Sequence, residues 1–353
     1  FFVRLGAPRF RAGLSFNIPI FSSHGVGGTF KPPFLIDEQA VQTSMHIYIP
    51  SPSGAVRDKA ALRRAVKHLS QQGHDVELDP DALSSDQRFA GDDDTRLLAI
   101  SRAAASGADV VMLTRGGYGI TRLMKKLPYK AIASSIKQGI RWVGHSDFTA
   151  LQMGLLAKTG AHTWSGPHAC ADFGANEVDD IMQDCFDDMV QGRGEGAGWR
   201  LPKSDVALLP KRSLLAEEAV LWGGNLSVLC SLIGTPFLPA IDNGVLFLED
   251  VAEHPYRIER MLTQLLHAGV LANQQAIVLG QFTDFKLTPH DKGFKLDSVV
   301  AWLRSQLKVP VLTGLPFGHV STKLCLPVGR KVSLLREGRE AFLLWAHQGH
   351  HSH

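Results

Sequence analysis

Three observations predict an α/β fold built on a parallel sheet. Short apolar runs alternate with helical periods, glycine-rich turns follow several of those runs, and the alternation restarts after a Gly- and Pro-rich break. Met45-His46-Ile47-Tyr48-Ile49-Pro50 reads as the opening strand. Leu62, Ala65, Val66 and Leu69 then share one helical face, closed by Gly73. Residues 76–78 form a short strand, and Asp93 or Asp94 caps a helix carrying Leu97, Leu98, Ile100 and Ala104 to Gly107. A buried-type strand over 109–114 runs into Arg115-Gly116-Gly117-Tyr118-Gly119. Helices over 120–127 and 131–137 precede a strand that reaches Gly144, and a further helix begins just after Ser146. A short strand at 162–164 and an acidic amphipathic helix over 178–190 complete the first half.

Residues 191–212, with Gly-Arg-Gly-Glu-Gly-Ala-Gly followed by Pro202 and Pro210, have the composition of a linker. A second, smaller unit follows. Its strand at 219–222 enters Gly223-Gly224-Asn225, and a helix over 226–233 stops at Gly234. The strand at 245–248 ends on Glu249-Asp250, ahead of a strongly amphipathic helix over 256–267. A strand over 276–282 and a helix over 296–307 lead through 309–312 to Gly314-Leu315-Pro316-Phe317-Gly318-His319. Residues 332–335 and 341–345, joined through Glu337-Gly338, pattern as a terminal hairpin. The expected organisation is an N-terminal extension (1–44), a first domain (45–190), the linker (191–212), a C-terminal domain (213–346) and a His-rich tail (347–353).

Composition narrows the function classes. The 353 residues are 44% hydrophobic and 20% charged, enough for two soluble domains, and no apolar run approaches the roughly 20 residues that span a bilayer. The formal charge is +3. Residues 1–44 supply +2 of it through Arg4, Arg9, Arg11 and Lys31 against Asp37 and Glu38, so the remainder has no nucleic-acid-binding balance. That segment, acid-poor and without sustained periodicity, reads as an extension ahead of Met45 in preference to a removable targeting peptide. It is expected to be dispensable for chemistry. Cys170, Cys185, Cys230 and Cys325 lie far apart with no metal-like spacing, which suits reduced thiols in a cytosolic-type compartment.

Ser146, Glu249 and His319 each stand at the end of an apolar strand. A hydroxyl becomes a nucleophile when an imidazole takes its proton and a carboxylate holds that imidazole. Gly144-His145-Ser146-Asp147-Phe148 keeps the first glycine of a nucleophile elbow and replaces the second with Phe148, and Ser…Glu…His is the chain order of elbow hydrolases. Taken singly, each residue has an ordinary structural alternative: a helix cap for Ser146, a strand-end ion pair for Glu249, a core histidine for His319. The Arg115–Gly119 loop fits an oxyanion hole formed with the Asp147 N–H, a phosphate cradle, or a plain tight turn. No spacing in the chain suggests a catalytic metal or a nucleotide cofactor.

Five motifs in order resemble the LD-carboxypeptidases, serine peptidases that include murein tetrapeptide carboxypeptidases and microcin C immunity peptidases. They are Arg115-Gly116-Gly117-Tyr118-Gly119, Gly144-His145-Ser146-Asp147, Gly223-Gly224-Asn225-Leu226, Phe247-Leu248-Glu249-Asp250 with Tyr256-Arg257-Ile258-Glu259-Arg260 behind it, and Gly314–His319. The resemblance implies a nucleophile-bearing α/β domain and a smaller domain supplying Glu and His, with the site between them. It also implies a homodimer. By it Ser146 is the nucleophile, Glu249 and His319 complete the triad, and the N–H groups of Gly117 and Asp147 form the oxyanion hole. Departures are His145, where an aromatic or aliphatic residue is usual, and Trp164-Ser165-Gly166-Pro167, where a histidine is usual.

The expectation is a cytoplasmic serine carboxypeptidase that cleaves an L,D-amide, releasing D-Ala from a murein tetrapeptide without a cofactor. Its partner is a peptide or muropeptide, not nucleic acid or membrane. A peptidyl-nucleotide immunity peptidase and a non-catalytic peptide- or nucleotide-binding protein are the alternatives. Arg115, Gly116, Tyr118, Asn225 and Arg257 are the substrate-contact candidates, and Arg115, Arg257 or a helix N-terminus is expected to hold the substrate carboxylate. His319 should reach Ser146 with one nitrogen and face Glu249 with the other, Asp250 being the next carboxylate considered. Ser146→Ala is expected to lower kcat about 10⁴- to 10⁶-fold with folding and substrate binding intact. Retention of even a tenth of wild-type turnover would remove Ser146 from the role.

Overall fold

A computed structural model describes residues 44–345, so the expectations placed on the N-terminal extension (residue 44 aside) and on the His-rich tail lie outside it. The strands are β1 (His46–Ile49), β2 (Asp75–Leu78), β3 (Val110–Met112), β4 (Arg141–Gly144), β5 (Thr163–Ser165), β6 (Gly196–Arg200), β7 (Leu214–Asn225), β8 (Val245–Val251), β9 (Ala276–Thr283), β10 (Val311–Leu312), β11 (Leu326–Val328), β12 (Lys331–Glu337) and β13 (Glu340–Leu344). The helices are α1 (Lys59–Gln71), α2 (Asp93–Ala105), α3 (Ile120–Leu123), α4 (Tyr129–Lys137), α5 (Phe148–Thr159), α6 (Asp180–Val190), α7 (Lys203–Leu208), α8 (Leu226–Ser231), α9 (Pro255–His267) and α10 (Leu296–Gln306). No helix among the described residues is long and apolar enough to cross a membrane.

Two sheets form. The first has order β11-β5-β4-β3-β1-β2, with β1 to β5 parallel and β11 antiparallel at one edge. Val110, Val111, Trp142 and Val143 are buried, as expected of parallel strands covered on both faces. The second sheet has order β10-β9-β8-β7-β12-β13-β6. Its β7 to β10 are parallel and β12, β13 and β6 antiparallel, so the expected terminal hairpin is built into the sheet.

Two features depart from the sequence reading. The stretch read as a linker holds β6 and α7, and β6 pairs with β13 from Gly196↔Leu344 to Arg200↔Glu340. Its glycines conceal an alternation in which Ala197 and Trp199 point inward, both almost fully buried. The second departure is β11, too short to show periodicity, which leaves the C-terminal half and pairs with β5 of the first sheet. A smaller correction concerns α2: its cap is Asp92, which accepts from the Thr95 N–H at 2.7 Å, one residue earlier than expected. All four cysteines are free.

The segment joining β10 to β11 therefore runs from one sheet to the other. A buried ion pair between Lys323 and Asp172 anchors it, and Asp172 also accepts the His168 N–H at 2.6 Å. Thr322 donates to Asp179 Oδ2 at 2.6 Å beside it. Removing one partner of a buried pair leaves an uncompensated charge. Lys323→Met is expected to destabilise the protein by about 3–5 kcal/mol, and Lys323→Met/Asp172→Asn to recover most of that loss, both read from urea unfolding. A single variant as stable as wild type would show that the pair does not anchor the segment.

Candidate active site

Ser146 is not a helix cap. It has φ 61, and α5 begins at Phe148 with Asp147 as its cap residue. A left-handed serine between a buried strand and a buried helix turns its side chain out of the sheet, which is the elbow geometry. The departure at Phe148 has a packing reason. Phe148 is fully buried, and a side chain at Gly144 would meet its ring at 3.1 Å. One bulky residue thus replaces the second glycine because Gly144 leaves room beneath it.

The glycine loop lies against the elbow. A Cβ at Gly116 would come within 2.6 Å of Ser146 Cβ, 2.7 Å of its Oγ and 3.3 Å of the Asp147 N. The position is closed to any side chain, and the loop backbone therefore lines the serine directly. The backbone N–H groups of Gly117 and Asp147 have no hydrogen-bond partner among the described residues. The Asp147 side chain fastens the arrangement: it accepts from Ser53 Oγ at 2.5 Å and from the Ile120 N–H at 2.9 Å. Burial pushes this carboxyl above its ordinary range, and those hydrogen bonds oppose the shift.

His319 follows β10, and Glu249 lies on β8. His319 Nδ1–H donates to Glu249 Oε2 at 2.8 Å; the carboxylate accepts, which leaves Nε2 as the proton acceptor of the neutral ring. The Glu249 side chain is 1% exposed and that of His319 22%. Asn225 Nδ2 donates to Glu249 Oε1 at 3.2 Å and to Asp250 Oδ1 at 2.9 Å, and the Asn225 N–H donates to Thr149 Oγ1 of α5 at 3.0 Å. Asn225 is thus buried support for the carboxylate, not a surface facing substrate. Asp250 accepts from Asn225, from the Ser227 N–H and from the Val251 N–H, and burial pushes its carboxyl up to about 6. Its oxygens are turned to those donors, and the His319 ring is held by Glu249.

His145, the residue before Ser146, brings the elbow alongside His319. The His145 ring lies 5.1 Å, edge to face, from that of His319, and stacks on His168 at 3.8 Å. His145 Nδ1–H donates to Gly166 O at 2.8 Å, and the His145 N–H donates to His168 Nε2 at 3.1 Å. Burial first, and then the neighbouring cations, hold both imidazoles well below the usual histidine range. The expected Ser146–His319 hydrogen bond is not formed. Such bonds are commonly long before substrate arrives and tighten in the loaded complex. The His145–His168 stack and the Lys323–Asp172 pair were missed from sequence; the unusual histidine before Ser146 was the one signal that pointed to them.

The remaining contact candidates differ in placement. Tyr118 is 46% exposed, with its ring 5.9 Å from Phe89. Arg115 is half-buried and donates to Ala55 O at 3.0 Å. Arg257 is exposed, with contacts to the Tyr256 hydroxyl at 3.2 Å and Glu253 at 3.7 Å. Among the described residues no cluster of His, Cys, Asp and Glu is arranged to hold a metal.

Comparison with known proteins finds similarity along both halves of the chain. Residues 47–166 match the model of the LD-carboxypeptidase N-terminal domain, and residues 218–334 that of the LD-carboxypeptidase C-terminal domain. A probable murein peptide carboxypeptidase of Bacillus subtilis is 28% identical over 284 residues, covering 78% of this chain and 85% of that protein. The microcin C7 self-immunity protein MccF of Escherichia coli is 29% identical over 251 residues, covering 64% and 70%. The crystal structure of muramoyltetrapeptide carboxypeptidase from Oxalobacter formigenes superposes with a TM-score of 0.76 at 38% identity, covering 86% of this chain and all of that one.

The expected role of His319 carries a pH dependence. Burial lowers the affinity of its ring for a proton, but the hydrogen bond and charge of Glu249 outweigh burial and the net shift is upward. If His319 takes the serine proton, as the sequence leads one to expect, its ring must be neutral to do so, and activity is then present above the folded-state pKa and lost as pH falls through it. The acid limb of kcat/KM is expected above the ordinary value of about 6.5. Glu249→Gln removes the charge; it should move that limb down and lower kcat about 10³- to 10⁴-fold. An acid limb unmoved in Glu249→Gln would assign the titration to Asp250.

Proposed function

The chain belongs to the LD-carboxypeptidase family, and from that membership we propose that it is a serine carboxypeptidase releasing the terminal D-Ala of a murein tetrapeptide in cell-wall recycling. The observation that carries this reading is the left-handed Ser146, set against the Gly116 backbone beside an imidazole whose Nδ1 is held by a buried carboxylate. Ser146 Oγ attacks the scissile carbonyl while His319 Nε2 takes its proton, and Glu249 stabilises the imidazolium that results. The N–H groups of Gly117 and Asp147 receive the oxyanion. The imidazolium then protonates the leaving amine, and water, activated by the same ring, hydrolyses the acyl-serine. In this reading residues 45–190 carry the nucleophile, residues 213–346 supply Glu249 and His319, and the enzyme works in the cytoplasm as a homodimer.

Likeness to the microcin C7 self-immunity protein supports a second reading, an immunity peptidase acting on peptidyl-nucleotides. The deciding experiment offers disaccharide tetrapeptide and a peptidyl-nucleotide to the purified protein and follows both by mass spectrometry. Loss of one Ala from the muropeptide, absent in Ser146→Ala, is the expected result. Cleavage of the peptidyl-nucleotide alone would favour the second reading, and binding of either without turnover would reject the peptidase assignment.

A further inference from the structure

A carboxypeptidase differs from an endopeptidase in holding a free carboxylate one residue beyond the scissile bond. Sequence left that group's partner open between Arg115, Arg257 and a helix N-terminus. The Arg257 guanidinium is exposed and engaged with Tyr256 and Glu253. Arg115 is in a different position. Its side chain folds back along the glycine loop, so that a Cβ on Gly54 would lie 3.7 Å from Nη1 and one on Gly117 3.7 Å from Nη2. The guanidinium therefore flanks the same Gly117 whose N–H is unpartnered. Among the described residues its one hydrogen bond is to Ala55 O at 3.0 Å, and no carboxylate pairs with it. Most of its donors are left for a ligand.

Two further cations stand around it. Ala55 donates its N–H to Arg88 O at 3.0 Å, and Arg57 lies two residues along the same strap. Arg57 and Arg88 are exposed, and neither pairs with a carboxylate among the described residues. By contrast, Arg96, Arg102 and Arg122 nearby in the chain each contact an aspartate. The Arg88 guanidinium lies 5.9 Å from the centre of the Tyr118 ring, which places it at the exposed rim of the loop. Burial, together with the charges of Arg57 and Arg88, weakens proton binding by Arg115, as expected of like charges gathered without counter-ions. An anionic ligand relieves that repulsion, and a guanidinium fork receives a carboxylate through two parallel hydrogen bonds.

We propose that Arg115, with Arg57 and Arg88 behind it, forms an anion subsite for the free C-terminal carboxylate of the leaving residue. The spacing suits the chemistry. One residue spans about 3.3–3.6 Å of extended chain, and Arg115 Nη2 lies beside the Gly117 backbone assigned above to the oxyanion. The subsite rests on the serine-peptidase reading above and deepens it by stating why cleavage is confined to a chain end.

The test compares a tetrapeptide ending in free D-Ala with its C-terminal amide, using the full chain throughout. Wild type is expected to prefer the acid by roughly 10²-fold or more in kcat/KM, and Arg115→Gln to bring that preference close to unity. Arg115→Lys keeps the charge without the fork and should fall between. Arg57→Gln/Arg88→Gln should raise KM for the acid about 3- to 10-fold with little change in kcat, and flatten its dependence on salt. An acid preference that survives in Arg115→Gln overturns the proposal, as does an equal loss on acid and amide, which would mean that Arg115 supports only the loop. Calorimetric binding of the two peptides to Ser146→Ala reads the subsite independently of turnover. Acid preference there that depends on Arg115 supports the subsite even if wild type proves inactive, the result that would reject the peptidase reading alone. Competition by AMP but not by acetyl-D-alanine would assign the cluster to a nucleotide phosphate and overturn the carboxylate assignment.

Discussion

The site depends on one steric constraint: the Ser146 side chain and the Gly116 backbone occupy adjoining space with no allowance for a Cβ between them. A serine with φ 61 is held in a conformation that costs about 1–2 kcal/mol relative to the right-handed region. The elements on either side outweigh that cost. β4 brings buried Trp142 and Val143, and α5 brings Phe148, Ala150, Leu151, Met153 and Leu155, none of them appreciably exposed. The Asp147 carboxylate then joins the elbow to Ser53 after β1 and to the first turn of α3. Strain at the nucleophile is thus sustained by core burial and by one buried acceptor that three separate loops share.

Electrostatics at the site follow a similar division. Three imidazoles lie within ring contact, yet only that of His319 has a carboxylate to support its charge. His145 and His168 are enclosed, hydrogen-bonded through one nitrogen each in neutral tautomers, and close to the Lys323 cation. The arrangement favours protonation of His319 over the two enclosed rings. Asn225 does equivalent work for the acid, holding Glu249 and Asp250 in place while its own N–H is bound by Thr149 of the nucleophile helix.

Much of this was legible in the chain, for identifiable reasons. Apolar runs such as Val110–Met112 and Val245–Leu248 mark strands buried on both faces, and in sheets of this kind ligand sites gather at the strand C-ends. The resemblance supplied the triad assignment, and geometry supplies the Glu249–His319 contact but not the bond to Ser146. What escaped sequence reading depends on distant partners. Gly196–Arg200 looks like a linker until β13, far along the chain, supplies the surface on which Trp199 is buried. β11 is only Leu326–Val328, below the length at which alternation can be counted. Asn225 carries the polarity of a ligand contact, and only the fold shows its amide turned to two acids.

The segment between β10 and β11 has a mechanical consequence. It leaves the edge of one sheet, presents His319, is fastened by Lys323 to Asp172, and enters the edge of the other sheet. His319 therefore lies between two fastenings: the Leu315 N–H to Leu279 O and Gln281 N–H to Phe317 O bonds that lace the segment to β9, and the Lys323–Asp172 pair that ties it to the first half. Displacement of one sheet against the other loads the short stretch between those fastenings, which is the stretch that holds the ring. On the proposed assignment, the alignment of His319 with Ser146 becomes a gauge of whether the two halves are seated together.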